Sequence, residues 1–96
     1  MAEVRLSVAA SRDLDAAFDF GAERWGVEKA TEYLRAFDDA FALLAQFPHL
    51  GTTRDEISPG ACSMGCGSHT IWFRLTDSIV TITRVLHTRM DIERRR

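Results

Sequence analysis

The sequence predicts an α+β domain of order β-α-α-β-β-β, with an antiparallel two-helix hairpin packed on an antiparallel β-sheet. Three observations predict it. Apolar residues recur at helical spacing across residues 14–47, broken once by Gly26. The pattern changes to period two across residues 69–86. A short alternating run, VRLSV at residues 4–8, precedes the helices and reads as an N-terminal strand.

The first helix is expected to start at Ser11, a residue type that caps helix N-termini, with Asp13 in the first turn facing the helix dipole. Leu14, Ala17, Phe18, Gly21 and Trp25 form its apolar face, and Gly26 suits a left-handed residue at its end. The second helix, residues 27–47, carries Ala30, Tyr33, Leu34, Phe37, Phe41, Leu44 and Phe47 as one stripe. Trp25, Phe37 and Phe41 are expected in the core. Glu28, Glu32, Arg35, Asp38 and Asp39 take the other faces, and Pro48 ends the helix. Two amphipathic helices joined by one residue form a hairpin that must bury its stripes on other elements.

Residues 48–60 are turn-rich, and residues 61–66 are expected to add a strand. In residues 69–75, His69, Ile71, Phe73 and Leu75 alternate with Thr70, Trp72 and Arg74. After the turn Thr76-Asp77-Ser78, Val80, Ile82, Arg84 and Leu86 alternate with Ile79, Thr81, Thr83 and Val85. These two β-branched runs make an antiparallel hairpin.

Residues 1–96 read as a single domain, long enough to bury roughly 60–70% of the surface of its unfolded chain. Hydrophobic residues are 46% and charged residues 27%, a globular profile. No apolar run nears the ~20 residues of a membrane span, and the N-terminus lacks a secretion-signal pattern, so a cytoplasmic location is expected. Two cysteines are too few for a disulfide framework. The net charge of −2 argues against direct nucleic-acid binding. Residues 1–48 hold five basic and nine acidic side chains, whereas residues 49–96 hold seven and five.

CSMGCGSH, residues 62–69, gathers Cys62, Cys66 and His69. A structural zinc site needs a fourth ligand, and His49 and His87 lie on other expected elements. A Cys66–His69 nucleophile–base pair needs nearby positive charge and a substrate pocket, and the segment offers glycines instead. The segment reads as a turn entering a strand, so neither a metal nor a cofactor is expected. His69 is expected to bond a backbone carbonyl at the strand start.

With the segments placed, the sequence resembles the RelE/ParE superfamily of bacterial type II toxins, and the ParE branch most. The pieces are Asp13-Leu14, RWGVEKATEYL at residues 24–34, FPHLG at residues 47–51, Asp55-Glu56-Ile57, GSHTIWFR at residues 67–74 and RVLHTRMD at residues 84–91. Together they cover nearly the whole chain. The resemblance implies the superfamily fold and a toxin, not itself an enzyme, that inhibits DNA gyrase by binding. It also implies neutralisation by a cognate antitoxin, ParD-like or a similar DNA-binding protein. Gly60-Ala61-Cys62-Ser63 departs from the pattern, since neutral side chains stand where the branch often carries arginine.

The resemblance also implies a second activity, ribosome-dependent mRNA cleavage of the RelE type, for which Arg74, Arg84 and His87 would supply phosphate stabilisation and acid–base chemistry. Against it stands the lack of further Lys and Arg to hold RNA. Arg84 shares its alternation face with apolar residues, so pairing to Asp91 or Glu56 is expected. A third reading is an inactive toxin-derived binding module. Trp72, opposite Ile71 and Phe73, either docks a partner on an open sheet face or closes a small second core with Met90 and Ile92. Trp72, Arg74, Arg84, His87 and Met90 are thus the candidate antitoxin- or target-binding residues.

Overall fold

The computed structural model describes residues 1–89. Met90, Asp91 and Ile92 lie outside the described residues, and with them the expected roles of Met90 as a binding residue and Asp91 as a partner of Arg84. The elements are β1 (Glu3–Leu6), α1 (Val8–Trp25), α2 (Val27–Gln46), β2 (Thr52–Thr53), β3 (Ala61–Cys66), β4 (His69–Thr76) and β5 (Ile79–His87).

Helix α1 starts a turn earlier than its sequence suggests. Ser7, not Ser11, is the N-cap: its backbone is extended, and its Oγ accepts from the Ala10 N–H at 3.0 Å. The same hydroxyl donates to the Thr83 carbonyl at 2.8 Å, so one side chain ties the start of α1 to β5. The cap shifts upstream because β1 ends at Leu6, and Ser7 is the first residue able to serve both contacts. Asp13 therefore lies in the second turn, away from the dipole and toward the sheet.

Gly26 closes α1 and opens α2 at once. Its N–H donates to Ala22, and its carbonyl accepts from Ala30. Its φ of 93° is open to glycine at little cost, but with ψ of 162° it is not the left-handed helical residue expected. Ala30, Phe37, Phe41 and Leu44 are the buried stripe of α2. Phe47 leaves the stripe as the C-cap and is 57% exposed. Trp25 also departs from the core position its spacing suggests. It is the last residue of α1 and is 57% exposed.

The sheet has five strands in the order β1-β5-β4-β3-β2. It is mixed, not purely antiparallel, because β1 runs parallel to β5, with Glu3 beside Ile79 and Leu6 beside Ile82. The helical hairpin and strands between them provide the crossover a parallel pair needs. Strand β2, two residues long and unmarked in the sequence, pairs with Ser63 and Cys62.

The core lies between the hairpin and one sheet face, where Phe37, Leu44, Ile71, Phe73, Val80 and Ile82 are essentially fully buried. One irregularity reorganises the other face. Trp72 pairs with Arg84 and Phe73 with Ile82, leaving Thr83 as an extra residue on β5. The alternation of β5 slips there. Val85 joins Val80 and Ile82 in the main core, whereas Leu86 joins Trp72, Ala61 and Ile57 in a second cluster. The single face expected for Val80, Ile82, Arg84 and Leu86 is therefore split.

Phe37→Ala should lower stability by about 3–5 kcal/mol, because the cavity opens where the hairpin meets the sheet. Phe47→Ala should change it by less than about 0.5 kcal/mol, since its ring already meets water. Urea denaturation of both variants checks the contrast.

Candidate functional site

Strand β1 stops beside Ile82, so among the described residues no strand flanks the rest of β5 on that side. Asp13 of α1 takes the place of one. Its Oδ2 accepts from the Val85 N–H at 2.9 Å and from Arg84 Nε at 2.7 Å, and its Oδ1 accepts from Arg84 Nη2 at 3.0 Å. This two-pronged carboxylate–guanidinium geometry is among the stronger polar contacts available. The hydrogen bond from Asp13 holds the Arg84 pKa above its ordinary value, so Arg84 stays charged. Among the described residues Arg84 is thus held by Asp13 rather than by Glu56, which pairs with Arg54.

Beside this contact, α1, Tyr33 of α2 and the ends of β4 and β5 enclose a groove of about 600 Å³. Ala16, Ala17, Phe20 and Trp25 form its apolar wall, and His69, His87 and Arg89 stand on the opposite side. Phe20 is 54% exposed and meets Trp25 edge-on at 6.3 Å, while the Arg24 guanidinium lies over the Phe20 ring at 5.0 Å. Two adjacent exposed aromatics on a concave surface make a contiguous apolar patch of the kind that marks interaction sites.

Tyr33 anchors the polar side. Its hydroxyl lies 2.7 Å from His69 Nδ1 and accepts from the Ser68 N–H at 2.9 Å. His69 thus bonds a side-chain hydroxyl rather than the expected backbone carbonyl. Gly67 makes this approach possible. Its φ is 58°, and a Cβ there would lie 2.7 Å from the Tyr33 hydroxyl. Burial pushes the His69 pKa below 6.5, the neighbouring His87 adds to the shift, and Asp13 opposes it. The His69 and His87 rings are 5.4 Å apart, centre to centre, and His87 is exposed.

The opposite sheet face has a different character. Trp72 is only 7% exposed, so it is not the open-face aromatic one of its two readings requires. Its described neighbours, Ile57, Ala61 and Leu86, form a small core with it, as in the second reading, while Met90 and Ile92 lie outside the described residues. The Arg54 guanidinium covers the indole at 5.1 Å. Arg74, on the same face, donates to the Pro59 carbonyl and, at 2.7 Å, to Ser58 Oγ.

Arg74, Arg84 and His87 therefore do not meet at one point. Arg74 and Arg84 line a small outer cleft, and His87 lines the groove. Cys62 and Cys66 are free thiols that burial pushes up in pKa, the reverse of nucleophile activation. Among the described residues no three His, Cys, Asp or Glu side chains are placed to hold a metal ion. Sequence reasoning missed Phe20, Tyr33 and Asp13 as site residues. Asp13 carried the one available signal, as part of the early Asp-Leu pair.

The model of a family described as the ParE toxin of the type II toxin–antitoxin system parDE matches residues 4–92. Toxin ParE1 of Mycobacterium tuberculosis is 41% identical over 90 residues, spanning 93% of this chain and 92% of that one. Toxin ParE1 of Caulobacter vibrioides is 34% identical over 91 residues, 95% of this chain and 94% of that one. Among solved structures, a chain of the chromosomal ParDE system of P. aeruginosa superposes with a TM-score of 0.79 at 24% identity, covering 91% of this chain and 96% of that one. A chain of the M. tuberculosis RelBE2 toxin–antitoxin complex gives 0.62 at 26% identity, covering 90% and 96%. No described helix is long and apolar enough to cross a membrane.

The depressed His69 pKa has a consequence for stability. Below pH 6.5 the unfolded chain binds a proton at this ring more readily than the folded one, so stability falls as pH drops through that value. The urea midpoint should be lower at about pH 5.5 than at about pH 7.5, and His69→Gln should flatten the difference. Denaturation of both proteins across this range tests it.

Proposed function

Because the chain belongs to the ParE toxin family of type II toxin–antitoxin systems, we propose that it arrests cells by binding DNA gyrase in the cytoplasm, catalyses no reaction itself, and is silenced by a cognate antitoxin. One observation carries the choice of binding over catalysis. RNA cleavage needs a base, an acid and cationic charge around one phosphate. Here Arg84 is held by Asp13, Arg74 is held by the Ser58–Pro59 loop, and His87 lies on another surface.

The groove is the proposed antitoxin site. A ParD-like partner segment would lay apolar side chains over Phe20 and Trp25 and place a carboxylate near His87 and Arg89. Such a segment orders as it binds, so it gains affinity chiefly from a few aromatic anchors. Solved relatives that come from toxin–antitoxin systems support a partner of this class. Met90, next in sequence to Arg89, keeps its proposed place among the contacts.

Purified toxin should block supercoiling by gyrase, and added antitoxin should restore it, while cell-free translation continues. Cleaved messages with untouched supercoiling would transfer the assignment to the ribonuclease reading, and His87→Ala should then abolish cleavage. Trp25→Ala should weaken antitoxin capture by about tenfold or more while leaving the fold intact. Calorimetric titration against the antitoxin measures that loss.

A further inference from the structure

The outer face of the sheet holds a polar arrangement that neither the groove nor the hairpin uses. Trp72 is buried there, and its indole Nε1 has no hydrogen-bond partner among the described residues. An indole nitrogen can only donate, so its need can be met only by an acceptor brought to it. Native proteins leave few such groups unmet, and those few call for an explanation.

Trp72 lines a cleft of about 190 Å³ with Ile57, Ser58, Ala61, Arg74 and Arg84. Arg74 and Arg84 line it and Arg54 lies over the Trp72 ring; two of the three have carboxylate partners, Arg54 with Glu56 and Arg84 with Asp13. Arg74 differs. Among the described residues its guanidinium donates to neutral oxygens, the Pro59 carbonyl and Ser58 Oγ. The loop before β3 is shaped around this guanidinium. Gly60 adopts a φ of 81°, and a Cβ there would lie 3.1 Å from Arg74 Nη1. Asp55, the nearby acid, instead accepts from the Gly60 N–H at 2.9 Å. The cleft thus joins a fixed cation with no ion-pair partner among the described residues to a buried donor with no acceptor among them.

We propose that this cleft binds the side-chain carboxylate of an aspartate or glutamate on a protein partner, with the Arg74 guanidinium and the Trp72 indole N–H as donors. A carboxylate supplies both the charge and the acceptor, and the volume suits a single side chain. A nucleic-acid strand suits the cleft less well. Polyanions are held by several unpaired cations, whereas Arg54 and Arg84 are already neutralised and Asp55 and Glu56 stand on the loop beside them. The cleft lies on the sheet face turned away from the hairpin and shares no lining residue with the groove. The assignment does not depend on gyrase being the target.

Nitrogen-15 NMR of the full chain provides the test. The two tryptophan indole signals are distinguished by Trp25→Phe, which leaves that of Trp72. The probe is a terminally blocked Ala-Glu-Ala peptide, whose only charge is its side-chain carboxylate, with blocked Ala-Gln-Ala as the neutral isostere. The glutamate peptide should shift the Trp72 indole proton downfield and saturate, and the glutamine peptide should not. Arg74→Gln should weaken the response about tenfold or more, as expected for losing a charged hydrogen bond. An indole proton that responds no more to the glutamate peptide than to sodium chloride overturns the site. Saturation at lower concentration by a single-stranded DNA oligonucleotide or inorganic phosphate overturns the choice of a carboxylate.

Discussion

The contact on which the rest of this structure depends is the Asp13 carboxylate seated against β5. It joins elements about seventy residues apart in sequence, through two bonds to Arg84 and one to the Val85 backbone. Without it, the Val85 N–H would lose its acceptor, and α1 would be tied to β5 by polar contact only at its start, through Ser7. The Asp13 side chain is 15% exposed and that of Arg84 35%, so the pair is only partly dehydrated and the cost of burying its charges is moderate. Replacing a strand by one carboxylate satisfies the Val85 N–H while leaving space beside it. That space is the groove.

The bulge at Thr83 makes the arrangement possible. A regular β5 would keep Arg84 on the face of Val80 and Ile82, among apolar side chains. The extra residue moves Val85 into that core and sets Arg84 opposite Trp72, from where its guanidinium reaches α1 at the open edge. The same slip brings Leu86 beside Trp72 and Ala61. One inserted residue therefore separates two surfaces of different chemistry, an aromatic groove with histidines and an arginine-rich outer face.

Much of the fold was legible because its signals are local. Period-two runs, the apolar stripe of α2 and the Gly26 break located the helices and the last three strands. The errors came from features that no local pattern encodes. Ser7 and Ser11 are equally good capping residues in sequence, and only the contact to Thr83 distinguishes them. Strict alternation in residues 79–86 gave no warning of the bulge, so Arg84 was assigned the wrong neighbours. The site was less legible still. Trp72 and Arg74 were marked by their place on the outer face, but the exposure of Trp25 and Phe20 follows from where α1 ends relative to the sheet, which spacing along one helix cannot reveal.

Those two aromatics bear on why the groove exists. A chain of 96 residues has little apolar surface to spare, and burying a large aromatic side chain stabilises a fold by about 1.5–3 kcal/mol. Phe20 and Trp25 forgo most of that gain in the free chain, and they do so side by side, with Arg24 covering part of Phe20. The hydrophobic driving force withheld from folding remains available for association. A partner that covers both rings gains it without having to reorganise the core, because the wall beneath them is fixed by Asp13 and the floor by Tyr33 and His69. A preorganised aromatic surface of this kind favours tight capture of a flexible segment, whose ordering cost must be offset by a few well-placed contacts. On the proposed reading of the groove as an antitoxin site, the stability given up at Phe20 and Trp25 is the driving force for that capture.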